Sequence, residues 1–153
     1  MGLKPGTPVP DFTLPDQDGR FFTLSEIVGE KPLVLFFYPK DHTPGCTAEV
    51  CSFRDSYEDF QDLGAEVIGI SSDTEASHRK FAHSYRLPFR LLSDKDQKVR
   101  KLLKVKGSLF NLLPGRETLV VDRDGRVVLA FNSLNPSGHM KKALHALKNL
   151  QTS

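Results

Sequence analysis

The run LVLFFY, residues 33–38, is apolar at every position, and no other feature narrows the fold as much. Six such residues, half of them aromatic, suit a strand covered on both faces. That is the usual state of a strand in a parallel sheet flanked by helices. Six positions past its end stands Pro44, a residue suited to the first position of a helix. Cys46, Val50, Phe53, Tyr57 and Phe60 then recur at helical spacing, which predicts one apolar stripe, and Gly64 is a natural stop.

The remaining elements fall around this strand–helix pair. DFTLPDQDGRFFTLSEI alternates about Asp18-Gly19 and predicts a β-hairpin. EVIGISSD is a second buried strand, and Asp73 is placed to cap a helix carrying Phe81 and Tyr85 that ends before Pro88. PFRLLSD is a short strand. Val99, Leu102 and Leu103 mark a short basic helix, and the 98–106 stretch is expected to be its solvated face. ETLVVDRDGRVVLAF is a hairpin turning at Asp124-Gly125. Asn135-Pro136 has the form of a cap and first helical residue, followed by a stripe of Met140, Ala143, Leu144, Leu147 and Leu150. The order is β-hairpin, βαβαβα, β-hairpin, α. Right-handed crossovers then give a thioredoxin-like α/β three-layer sandwich with an added N-terminal hairpin. At 153 residues, without repeat or linker, the chain is expected to form one domain, 1–153.

Bulk properties exclude several classes. The net charge is +2, and basic residues neither cluster nor interleave with aromatics, which argues against nucleic acid. No run of about 18 apolar residues is present, which argues against a membrane span. The opening MGLKPGTPVPDF lacks a secretory apolar stretch, and Gly at position 6 sets aside myristoylation. A cytoplasmic location is expected, with an organelle or lumen as the alternative if a transit peptide has been removed.

Both cysteines, Cys46 and Cys51, lie in PKDHTPGCTAEVC. Two are too few for a disulfide framework, and a structural bridge is rare in a reducing compartment. Cys46 sits in the first helical turn, where free N–H groups and the positive end of the dipole favour a thiolate. Cys51 points roughly 140° away, with Cα atoms roughly 8–9 Å apart in an intact helix. A disulfide normally needs less than about 7 Å, so the pair can bond only if the first turns unwind. A thiolate at position 46 suits attack on a peroxide O–O bond, giving a sulfenic acid that a second thiol can condense with. Such a site also needs donors, offered by the Thr43 hydroxyl and the N–H groups of Gly45 and Cys46. Pro39 can shield one side. A positive charge from a distant arginine is needed too, and spacing alone does not choose among the candidates.

PKDHTPGC resembles the P-x-x-x-T-x-x-C motif of peroxiredoxins. GCTAEVC, with its second cysteine five positions on, is similar to the Q-type subgroup, also called bacterioferritin comigratory proteins. The likeness runs from PGTPVPDFTLPDQDG through PFRLLSD and LPGRETLVVDRDGRV to the last helix with His139. It implies thiol-dependent reduction of hydrogen peroxide and organic hydroperoxides without metal or organic cofactor. By resemblance Cys46 is the peroxidatic cysteine, Cys51 the resolving one, and Thr43 and Pro39 belong to the site. Arg116 matches the family arginine that contacts thiolate and peroxide, and Glu49 the glutamate that orients it. The intramolecular disulfide would be reduced by thioredoxin, with glutaredoxin as the alternative, in a monomer, with a dimer as the alternative.

Two other functions compete. A thiol–disulfide oxidoreductase on the same fold usually carries C-x-x-C, which is missing here. A redox sensor would pass its oxidation to a client rather than turn over. Zinc spacing is also missing, so a metal site combining the cysteines with His42, His78, His83 or His139 is not expected.

Overall fold

The computed structural model describes residues 3–105 and 115–152, with side chains described to residue 150. LVLFF forms β3 (Leu33–Phe37), every residue of it buried. It lies at the centre of a five-stranded sheet ordered β5-β4-β3-β6-β7. The other strands are β4 (Glu66–Ser71), β5 (Arg90–Ser93), β6 (Glu117–Val121) and β7 (Val127–Asn132). β3 pairs parallel with β4, and β4 with β5. β6 runs antiparallel to β3 and to β7. The N-terminal hairpin, β1 (Thr13–Pro15) and β2 (Phe21–Thr23), forms a separate two-stranded sheet. Its turn is tied by the Asp16 carboxylate, which accepts from the N–H groups of Asp18 and Arg20. Gly19 there adopts φ 79°, a value an L side chain resists.

Strict alternation along β3 feeds two cores. Leu33, Leu35 and Phe37 join the cluster under the N-terminal hairpin and α4 (Lys98–Leu102). Val34, Phe36 and Tyr38 face the other cluster, with α1 (Pro44–Asp55), α2 (Tyr57–Asp62) and α5 (His139–Thr152). Phe81 of α3 (Glu75–Tyr85) also packs there. The three layers match the expected sandwich. Phe36 stacks on Phe53 with centroids 4.4 Å apart, and Gly69 leaves room, since a Cβ would lie 2.7 Å from the Phe36 ring. Among the described residues no helix is long and apolar enough to cross a membrane.

Several local expectations are corrected. The helix after Pro44 breaks at Ser56, which has φ −106° and ψ 9°. The stripe survives the break, with Cys46, Val50, Phe53 and Phe60 buried. Asp73 does not cap α3. Thr74 does, accepting from the Ser77 N–H at 3.2 Å, because Asp73 is drawn to the Ser71 hydroxyl and the Asp41 N–H. The last helix begins at His139, not at Pro136. Asn135 instead accepts from the Ser137 N–H in a side-chain turn. On α4 Leu102 is exposed while Arg100 is buried, so the basic stretch is not wholly a solvated face; Lys106, at its end, falls outside the described residues.

Candidate active site

β3 delivers the chain to Pro39, and five residues later α1 begins beside the end of the sheet. The connecting loop is strained, because His42 takes φ 65°, the left-handed region. Buried side chains hold it there. Asp41 accepts from the Tyr38 hydroxyl at 2.6 Å, pairs with His78 Nδ1 at 2.7 Å and accepts from the Ser77 hydroxyl at 2.9 Å. Burial alone would push the Asp41 carboxyl up. Its hydrogen bonds from His78, Tyr38 and Ser77, with the His78 charge, outweigh burial and hold it below the usual carboxylate range. Asp41, Asp73 and His78 lie close enough to share a cation, but each already satisfies protein partners.

Arg100 fastens the loop from the other side. It donates to the Gly115 carbonyl at 3.0 Å and to the Tyr38 carbonyl at 3.4 Å. Those residues immediately precede Arg116 and Pro39, so one buried guanidinium spaces the two arms of the site.

At the loop's end Thr43 is the N-cap of α1, but its side chain makes no cap bond. Its hydroxyl donates to the Lys40 carbonyl at 2.9 Å. That spends its one proton and leaves lone pairs free to accept. Cys46 follows in the first turn, 1% exposed. The Arg116 Nη1 lies 3.1 Å from its sulfur and 2.9 Å from Glu49 Oε1. Arg116 Nε is held by the Leu134 carbonyl at 3.0 Å. Gly45 is part of this fit, since a Cβ there would lie 2.8 Å from Arg116 Nη2.

Cys46, Arg116 and Glu49 thus form one buried contact set, with Thr43 and Pro39 on the loop leading into it. Cys51 does not join them. It is a free thiol, half-buried, on an unbroken stretch of α1. Burial pushes its thiol up, Arg54 pulls it down and Asp55 pushes it up again, with a net rise. Both thiols are unbridged, as the five-residue spacing requires of an intact helix.

Burial pushes the Glu49 carboxyl up to about 7, against the pull of Arg116. The folded chain therefore binds that proton more tightly than the unfolded chain. Glu49's stabilising contribution is complete below its ordinary value of 4.5 and is lost as pH rises through about 7. The expected loss is on the order of 3 kcal/mol. Denaturant melts of native protein and Glu49→Gln at pH 5 and 8 should differ in this slope, with the glutamine protein keeping more of its stability at pH 8. Parallel pH dependences would mean that Glu49 is not held this way.

Asp41, His78, Arg100 and His139 carry no motif of their own. The signal for Asp41 and Arg100 was at most their nearness in sequence to the loop and to a helix cap. His139 lies inside the last stretch of family likeness, which implies no role for it.

The AhpC/TSA family pattern matches residues 5–130. The chloroplastic peroxiredoxin Q of Triticum aestivum is 53% identical over 149 residues, which are 97% of this chain and 68% of that protein. The crystal structure of the peroxidoxin BcpB of Mycobacterium tuberculosis superposes with a TM-score of 0.89 at 41% identity, covering 97% of this chain and 98% of that one. A structure of the bacterioferritin comigratory protein of Xanthomonas campestris, described in terms of its alkyl peroxide reduction activity, gives a TM-score of 0.83 at 31% identity over 91% of both chains.

Proposed function

Because the chain belongs to the AhpC/TSA family and is a thiol-dependent peroxidase of the peroxiredoxin Q kind, we propose that Cys46 is its peroxidatic sulfur and Cys51 its resolving one. The observation that carries this reading is the Arg116 Nη1 placed 3.1 Å from Cys46 Sγ at a helix mouth. The cation lies beside the sulfur, whose thiolate is the attacking form, and balances charge that develops on the peroxide. The thiolate attacks one peroxide oxygen. The S–O bond forms, the O–O bond breaks, and the leaving oxygen takes a proton and departs as water or alcohol. Thr43, with its own proton committed to Lys40, accepts a hydrogen bond from the peroxide's O–H. Pro39 walls the approach, and Glu49 orients Arg116. The Cys51 thiol then attacks the sulfenic sulfur, water leaves, and a disulfide remains. A thioredoxin-type dithiol returns the two electrons.

Hydrogen peroxide and alkyl hydroperoxides are both substrates in this reading, the latter on the analogy of the Xanthomonas protein. The intrachain pair makes a monomer sufficient. Residues 1–153 act as one domain, since both cores share the five-stranded sheet. The compartment is a reducing one, the cytoplasm or an organelle such as the chloroplast named for the wheat relative.

The resolving step requires α1 to unwind. After one equivalent of peroxide, intact mass should fall by two hydrogens with a 46–51 bridge, and amide signals of residues 43–55 should lose their helical character. A bridged protein whose α1 signals stay helical would refute the unwinding.

A further inference from the structure

Glu49 has two oxygens with different fates. Oε1 takes the Arg116 hydrogen bond. Oε2 is buried with no hydrogen-bond partner, which is costly for a carboxylate. The nearest imidazole is His139 at the start of α5, with Nδ1 at 3.9 Å from Oε2 and no exposed surface. Hydrogen-bond logic fixes the tautomer of that ring. Nε2 lies 2.9 Å from the Ser133 carbonyl, which only accepts, so Nε2 carries a hydrogen. In the neutral ring Nδ1 is then a lone pair, which accepts from the Thr118 hydroxyl at 2.8 Å. An ionised Glu49 Oε2 therefore lies unpartnered beside a ring whose one Nδ1 lone pair is already spent on Thr118, in a closed space. One proton relieves this. On Oε2 it neutralises the orphaned oxygen. On Nδ1 it makes an imidazolium whose charge lies 3.9 Å from Oε2, with the Thr118 hydroxyl rotated to accept. Two protons would place a buried imidazolium beside a neutral acid and the Arg116 guanidinium, with nothing to balance it.

We propose that Glu49 and His139, 3.9 Å apart, are a coupled buried pair that holds one proton and not two, and that His139 is thereby a positioning residue that sets how Arg116 divides its charge between Glu49 and Cys46. With the proton on Oε2, Glu49 is neutral and Arg116 serves the sulfur. With the proton gone, Glu49 competes for the same Nη1. The charged or titratable groups facing the pair are Arg116, from the segment entering β6, and Cys46, on the same helix as Glu49. The Phe131 ring of β7 closes the imidazole's other side at 4.9 Å. Burial raises Glu49 to about 7, while burial and then Arg116 lower His139 despite its bond to Ser133, so the one proton favours the carboxyl. His139 also holds the carbonyl of Ser133, the neighbour of the Leu134 carbonyl that anchors Arg116. Pinning that strap is a structural role and must be separated from the coupling.

His139→Gln separates them, since its amide can still donate to Ser133 but cannot take a proton. In the native protein, the carbon-13 signal of the Glu49 carboxyl and the nitrogen-15 signal of His139 Nδ1 should move together through one pH midpoint. In His139→Gln the Glu49 midpoint should move by about one unit. Native Cys46 oxidation should show an inflection at the shared midpoint, and His139→Gln should displace it. Only this kinetic arm rests on Cys46 as the peroxidatic sulfur; the resonance arm stands without it. A His139 signal that stays flat while Glu49 titrates would overturn the proposal. So would an unchanged Glu49 midpoint in a folded His139→Gln.

Discussion

Cys46→Ser should abolish peroxide turnover, and Cys51→Ser should stop it after one event. The two expectations come from different parts of the geometry. Cys46 is the sulfur within reach of Arg116. A serine hydroxyl there is not ionised at neutral pH and leaves no nucleophile. Cys51 has no contact with that set and sits half-buried on α1. Without it the sulfenic acid still forms at the native rate but finds no intrachain thiol, so recycling by a thioredoxin-type dithiol fails. Rapid-mixing traces over the first turnover, beside steady-state peroxide consumption, distinguish these cases. A Cys46→Ser protein that still turned over would remove the mechanism. A redox sensor predicts another pattern: fast oxidation, slow turnover and oxidation of a client.

Arg116→Met should slow Cys46 oxidation about a hundredfold, the usual cost of removing one charge-stabilising donor from a reacting centre. Stability should fall far less, by about 1–2 kcal/mol. Glu49, left without its cation in a buried place, can take up a proton instead of remaining an unpaired charge. A stopped-flow rate beside a denaturant melt separates the two effects. Oxidation as fast as native would take Arg116 out of the site.

The fold was readable wherever burial follows chain periodicity. LVLFF predicted a two-faced strand, and the 4-3-4-3 stripe predicted the buried face of α1, because packing against one partner imposes those repeats. Helix starts were less readable. Asp73 and Thr74 are both good caps, and the choice went to Thr74 because Asp73 was engaged by Ser71 and Asp41. Asn135-Pro136 resembles a helix start, but Asn135 closes a local turn instead. Within the site, Cys46 and Thr43 declare themselves by position on the helix mouth. Arg116, 70 residues from Cys46, was found through family likeness alone. The supports around it were silent in sequence. Arg100 looked like one more surface charge, and its role depends on two carbonyls that only the folded sheet brings together. His139 opens α5, one position before its apolar stripe, where nothing local reveals Glu49 on a different helix.

The central claim is that the sulfur of residue 46, and no other, takes the peroxide oxygen. It is tested most directly by trapping. Cys51→Ser protein, treated with one equivalent of hydrogen peroxide and a dione reagent that captures sulfenic acids, should carry one adduct, on the peptide containing Cys46. The same treatment of the Cys46→Ser protein should give none. An adduct on Cys51 in the second protein, or an unmodified Cys46 in the first, would contradict the account.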